Sequence, residues 1–285
     1  MKYYDFAGIH IEILSQYLKK LDRFETFSSN SNRKLDFKLT LECCNEIMQP
    51  TGELILNEYI QNNIKMTLVL THDNMYSFYL DNSVKIISRL DVDKDWNCAK
   101  ITYIKSYPNY EYYTLYILGS LPLRNKIVFF DGLVIHASSI MLDNKGIMFS
   151  APSGTGKSTH AGLWEKYLDA KVLNDDCPAL RIIDKKVFVF GTPWSGSTDK
   201  FYNSSAELSA IIILEQSNIN SIRRLEYDDI VQKLLPRCYL PYYDKNILNR
   251  ALNNFENIVK LTPVYLLKCT PEKDAMELVY QSLKL

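Results

Sequence analysis

The residues Ala151-Pro152-Ser153-Gly154-Thr155-Gly156-Lys157-Ser158 have the types and order that grip phosphate. The two glycines let the backbone turn so that successive N–H groups face an anion, and a helix opening at the end of the run adds its positive N-terminal end. Lys157 is placed to reach the β- and γ-phosphates of a nucleoside triphosphate, and the Ser158 hydroxyl to ligate Mg²⁺. Ser153, Gly154, Thr155, Gly156, Lys157, Ser158 and Thr159 are therefore the candidate nucleotide-binding residues. The usual pattern begins with glycine where this chain has Ala151, a replacement that fits only if the position needs no positive φ.

A phosphate loop alone does not separate a kinase from a GTPase or a motor. Asp175 and Asp176 supply a second constellation, since they follow a short predicted strand, Lys171 to Asn174, that would end beside the bound phosphates. One carboxylate, Asp175, is placed to hold magnesium together with Ser158, and the other, Asp176, to accept a proton from an attacking hydroxyl. The competing reading of the pair is a solvated turn before Pro178.

The elements that must position these residues follow from pattern. Gly132 to Met141 reads as a strand, Asp143 to Gly146 as a turn, and Ile147 to Ser150 as the strand that runs into the loop. Ala161, Trp164, Tyr167 and Leu168 then share one helix face. Strands follow at Ala179 to Ile183, Lys186 to Phe190 and Leu208 to Leu214. Apolar residues at helical spacing mark helices around Tyr227 to Leu235, stopped by Pro236, and around Leu248 to Val259. A strand over Val264 to Cys269 leads to a last helix with Thr270 as N-cap and Pro271 at its first position.

This hairpin, loop, helix, short strand and paired Asp resemble the catalytic domain of HPr kinase/phosphorylase, over roughly residues 130 to 215 and more weakly to the end. The HPr kinase and PEP carboxykinase type feeds its phosphate loop from an antiparallel hairpin carrying a histidine, and Gly132-Leu133-Val134-Ile135-His136-Ala137-Ser138-Ser139 fits it. The resemblance implies a mixed-sheet P-loop kinase domain that uses ATP and Mg²⁺, with His136 touching the transferred phosphate or sensing pH. Thr159 stands where the family commonly has Glu, Ala137 stands where it has Gly, and the segment that supports phosphorolysis is not recognisable. These departures set the expectation on kinase chemistry and on an acceptor other than HPr.

The loop Gly191-Thr192-Pro193-Trp194-Ser195-Gly196-Ser197 offers an aromatic and several hydroxyls to an acceptor, the alternative being a structural turn with Trp194 in the core. It looks like loops of HPr kinase-like proteins in peptide-modification gene clusters, where the implied substrate is a serine of a precursor peptide. Lys200, Arg223 and Arg224 are candidates for positive charge at the transition state. The rival classes are an ATP-gated binding module without phosphotransfer and a small-molecule kinase on the same fold.

Before the hairpin, short strands broken by polar turns (Gly8 to Leu14, Asp36 to Glu42, Gly52 to Tyr59, Lys65 to Leu70, Tyr76 to Leu80, Val84 to Leu90) predict a β-rich domain over 1–125. A helix over Glu111 to Leu123, ending near Pro122, leads to the kinase domain over 126–285. The cluster Tyr107, Tyr110, Tyr112, Tyr113 and Tyr116 reads as packing near this junction rather than as a ligand-stacking site. The family's members are oligomeric, although the sequence carries no assembly signal of its own.

Composition narrows the partners. Thirty-three basic residues balance thirty-three acidic ones without a long block of either sign, so a nucleic acid polymer is not expected. No apolar run approaches the roughly 18 residues of a membrane span, and the start lacks a signal-peptide pattern, so the expected location is cytoplasmic. The six cysteines show no metal or disulfide spacing and are expected to be reduced and mostly buried.

Overall fold

The computed structural model describes residues 1–15, 22–61, 63–196 and 198–285. Ser197, the last residue of the anticipated acceptor loop, lies outside them. The chain folds as two compact units, Met1–Lys126 and Ile127–Leu285.

The first unit is a mixed sheet of β1 (Lys2–Phe6), β2 (Ile9–Ser15), β3 (Ser28–Ser29), β4 (Phe37–Cys43), β5 (Gly52–Gln61), β6 (Ile64–Thr71), β7 (Tyr76–Asp81), β8 (Ile86–Val92) and β9 (Cys98–Tyr103), in the order β3-β1-β2-β4-β9-β8-β7-β6-β5. β4 pairs in parallel with β2 and β9, and the other neighbours are antiparallel. The period of two is plain in β4, where Phe37, Leu39 and Leu41 are buried and Lys38, Thr40 and Glu42 are not. The residue pattern does not mark β1 or β9. Val84 is highly exposed, and β8 starts after it because Ser83 takes a positive φ of 66° in the preceding turn.

The anticipated helix at Glu111 is a wide π turn over Tyr112–Ile117, a 3-10 turn over Leu118–Ser120 and an α-helix over Leu121–Lys126. Pro122 does not end it, because Pro122 sits in the first turn of that α-helix, where a missing N–H leaves no helical bond unmade. The tyrosines pack against one another, with Tyr112 and Tyr116 stacked at 5.3 Å and Tyr103 and Tyr110 at 5.5 Å.

The second unit is a mixed α/β structure built on β10 (Gly132–Val134), β11 (Ala137–Leu142), β12 (Lys145–Ser150), β13 (Lys171–Asn174), β14 (Ala179–Ile183), β15 (Lys186–Phe190), β16 (Ser205–Gln216), β17 (Ser221–Arg224) and β18 (Val264–Cys269). The order is β10-β14-β15-β16-β12-β11-β13, with β18 beside β16 and β17 beside β18. β12, β16 and β18 are parallel, whereas β11 is antiparallel to both β12 and β13. The β11–β12 hairpin closes through Asp143 and Asn144, whose positive φ values of 48° and 64° match the twist that a two-residue connection requires. Helices Lys157–Leu168 and Lys273–Leu283 share one core with the sheet, in which Ile147, Phe149, Trp164, Ile212, Leu267 and Met276 are buried together.

Several expectations are corrected. The strand over Gly132 to Met141 is broken at Ile135 and His136, whose N–H groups turn to Pro178 O at 3.3 Å and Arg237 O at 2.8 Å. Pro236 does not stop its helix abruptly, since Tyr227–Leu234 tightens into a 3-10 turn over Leu235–Arg237. The last helix has Glu272, not Thr270, as N-cap; the Thr270 hydroxyl is turned away to Asn220 Oδ1 at 3.3 Å, which also accepts from the Thr270 N–H at 2.8 Å. None of the six cysteines forms a disulfide among the described residues, but only Cys177 and Cys238 are buried. Among the described residues no helix is long and apolar enough to cross a membrane.

Two glycines test this packing. A Cβ on Gly191 would lie 1.9 Å from Tyr202 O and 2.6 Å from Leu173 O, whereas one on Gly162, inside the helix Lys157–Leu168, meets nothing within 4 Å. Gly191→Ala is expected to destabilise this unit by at least ~2 kcal/mol. Gly162→Ala is expected to stabilise it by about 0.5–1 kcal/mol, both read from the denaturant midpoint of its unfolding transition.

Candidate functional site

β12 ends at Ser150, and the chain turns through a glycine-rich loop into the helix Lys157–Leu168. Gly154 and Gly156 have φ of 77° and 111°, values that side-chain-bearing residues rarely adopt, whereas Ala151 lies outside that region and is buried. A Cβ on Gly154 would meet nothing within 4 Å, so this glycine is needed for its conformation, and space lies open beside it. Gln216 Nε2, at the end of β16, donates to Thr155 O at 3.3 Å.

Lys157 is 8% exposed, and its ammonium donates to Ala151 O at 3.2 Å and Pro152 O at 3.4 Å. Burial holds it below the ordinary lysine range; Asp176 opposes that shift, Arg237 adds to it, and Asp175 opposes it. The ammonium is thus in electrostatic reach of both carboxylates and of a guanidinium.

The carboxylates stand on a turn after β13 that a buried amide holds in place. Asn174 Oδ1 accepts from the N–H groups of Asp176 at 2.8 Å and Cys177 at 2.6 Å. Its Nδ2 donates to Thr192 O, Thr192 Oγ1 and Trp194 O at 2.9, 3.1 and 3.0 Å. Asp175 is buried and accepts from Ser138 Oγ at 2.6 Å and from Thr198 Oγ1. Asp176 keeps 24% of its side chain exposed, with His136 Nε2 at 3.4 Å from one oxygen and the Cys177 thiol at 3.3 Å from the other. The Ala137 N–H donates to Asp176 O at 3.1 Å, which ties the turn to the start of β11.

His136, Asp175, Asp176 and Lys157 are therefore brought together, whereas residues 191–195 of the anticipated acceptor loop are buried. Thr192 and Ser195 are buried, Trp194 is 4% exposed, and Thr192 Oγ1 is spent on Cys177 O at 2.9 Å. The loop braces the Asp turn, and Gly196 lies against it, since its Cβ would meet Asp175 O at 3.1 Å. Lys200 pairs with Glu165, Arg223 pairs with Asp229 at 3.0 Å, and Arg224 is exposed on β17. Residue types and spacing do not single out Asn174 or Arg237. A polar residue at the end of an apolar strand is a faint signal for the first, and nothing local marks the second.

A cleft of about 550 Å³ opens on the other flank of the loop, lined by residues that include Thr155, Thr159, His160, Leu214, Asn218 and Thr270. A second hollow, of about 470 Å³, runs between Pro152–Thr155 and Leu214–Gln216. Among the described residues no group of three or more His, Cys, Asp and Glu is arranged to hold a metal ion.

No family model matches the chain, and no curated protein matches it. Among solved structures it is similar to the Hpr(Ser) kinase/phosphatase from Coxiella burnetii, at 13% sequence identity and a TM-score of 0.32, over 52% of this chain and 95% of that one.

Asn174→Asp keeps the side-chain shape but turns a buried amide donor into a carboxylate facing two carbonyls. A loss of ~3 kcal/mol or more is expected in equilibrium unfolding. A near-neutral result would show that the amide is not the strut of the turn.

Proposed function

We propose that the chain is an ATP- and Mg²⁺-dependent kinase that transfers the γ-phosphoryl group to a hydroxyl, that of a serine in a protein or peptide. The observation that carries this reading is the convergence of a lysine in a glycine-rich strand-to-helix loop with a carboxylate pair whose members differ in environment. Asp175 is buried and gripped by two hydroxyls, whereas Asp176 is half-open to solvent.

The loop suits a phosphate chain. Its glycines hold the turn, space lies open beside Gly154, and the only hydrogen bonds of the Lys157 ammonium among the described residues are to loop carbonyls, which a phosphate oxygen can replace. Magnesium would be held by Ser158 and, through water, by Asp175, and supplies neutralisation of the phosphate charge. Two hydroxyl donors leave a carboxylate with further lone pairs for that water.

In the transfer step the acceptor oxygen forms its bond to the γ-phosphorus as the bond from that phosphorus to the β-bridging oxygen breaks, releasing ADP. Asp176 takes the proton of the acceptor hydroxyl, and His136 steadies the carboxylate from 3.4 Å. Lys157 and Arg237 bring positive charge to the oxygens on which negative charge accumulates.

Mass spectrometry of serine-containing peptides, including a precursor peptide encoded nearby, after incubation with ATP and Mg²⁺ is expected to show the gain of one phosphate. Lys157→Ala should abolish the gain. Asp176→Asn should cut the rate by at least ~100-fold while leaving the ATP dissociation constant within about threefold. Tight ATP binding with no transfer to any acceptor would replace the kinase by a nucleotide-gated binding module.

A further inference from the structure

The kinase reading gives Asp176 the proton of the acceptor hydroxyl and leaves open what aims its carboxylate, 24% of whose side chain is exposed. A carboxylate at such a position turns about its own side-chain bonds unless its oxygens are held, and proton transfer needs a lone pair directed at the acceptor. His136 Nε2 lies 3.4 Å from Oδ1. Oδ2 faces the next residue of the chain, with Cys177 Sγ at 3.3 Å, and the same sulfur lies 3.5 Å from the Tyr239 hydroxyl oxygen.

The count of protons gives this row a direction. An ionised carboxylate only accepts and a thiol has one proton, so Cys177 spends that proton on Asp176. The contact on the other side of the sulfur is then made by the Tyr239 hydroxyl, which donates to it. A thiol is a weak donor, so it directs the carboxylate without claiming the oxygen as a cationic donor would.

Both ends of the row are fixed by the backbone. Cys177 is 2% exposed, its N–H donates to Asn174 Oδ1 at 2.6 Å, and its carbonyl accepts from Thr192 Oγ1 at 2.9 Å. Tyr239 stands just after the 3-10 turn Leu235–Arg237 and donates its N–H to Val134 O at 3.0 Å, at the end of β10. The same short segment sets the other donor, because Arg237 O accepts from the His136 N–H at 2.8 Å and Cys238 bridges to Ile135. Residues 237–239 therefore govern donors to both oxygens of Asp176. Packing accounts for a buried sulfur, but not for one placed in line between a carboxylate and a hydroxyl.

We infer that Cys177 and Tyr239 are positioning residues for the phosphoryl transfer, a hydrogen-bonded chain that, with His136, aims the Asp176 carboxylate at the acceptor hydroxyl. The inference rests on the kinase reading, and both residues act through Asp176.

Steady-state kinetics of the full chain with Mg²⁺–ATP and a serine-containing peptide test it, read as ADP release and phosphopeptide formed. Cys177→Ala should lower kcat by about 10-fold and leave the KM for ATP within about twofold. Cys177→Ser, which restores a donor, should hold kcat within about threefold of wild type. Tyr239→Phe should lower kcat by about threefold alone and by less than about 1.5-fold in the Cys177→Ala background, because its effect passes through the sulfur. A folded Cys177→Ala protein with kcat within twofold of wild type overturns the inference and leaves the kinase reading in place, as does a Cys177→Ser protein as slow as Cys177→Ala. Should Cys177→Ala fail to fold, Tyr239→Phe decides, and an unchanged kcat overturns the inference. A wild-type protein that phosphorylates no peptide overturns both readings.

Discussion

The hydrogen-bond ladder of β12 is the constraint from which the site follows. Its Ser150 pairs with Ala137 of the antiparallel neighbour and with Ile213 of the parallel one, so the loop leaves the sheet at a point fixed from both edges. The antiparallel edge brings His136 and Ser138 alongside, and the next strand outward delivers the carboxylates. The parallel edge brings the carboxyl ends of β16 and β18 to the other flank. A slip of one residue in either register would send every side chain of the slipped strand to the opposite face and separate the lysine from its partners.

Burial then divides the labour between two adjacent carboxylates. Asp175 points into hydroxyls from β11 and from the segment after the Gly191–Gly196 loop, and Asp176 points toward His136 and solvent. Asn174 makes that division possible, because one fully buried amide satisfies both the turn and the bracing loop, and each of its bonds would be costly to leave unmade in the interior. The same economy explains why the Thr192 hydroxyl is turned inward: it donates to Cys177 O and so stabilises the wall on which the carboxylates stand.

Lys157 shows how the field around the loop is balanced. Desolvation and the Arg237 guanidinium disfavour its charge, while two carboxylates favour it. The Lys157 ammonium is short of water and, among the described residues, donates to the carbonyl oxygens of Ala151 and Pro152, surroundings in which electrostatic attraction is weakly screened.

Local chemistry alone made the loop, the hairpin, the helices over Lys157–Leu168 and Lys245–Leu261, and the carboxylate pair legible, because glycine conformation, turn residues and apolar spacing act over a few residues. Strand limits were least legible where backbone donors find partners far along the chain, as at Ile135 and His136, or where alternation is short, as in β9. What only the tertiary structure decided is which side chains share a volume. Arg237 comes within electrostatic reach of Lys157 because packing brings a 3-10 turn to the loop, and Trp194 is buried because its loop is needed inside. The physical reason is that residue type and spacing record local conformation, whereas burial, charge balance and the sides of a loop are set by contacts between distant segments.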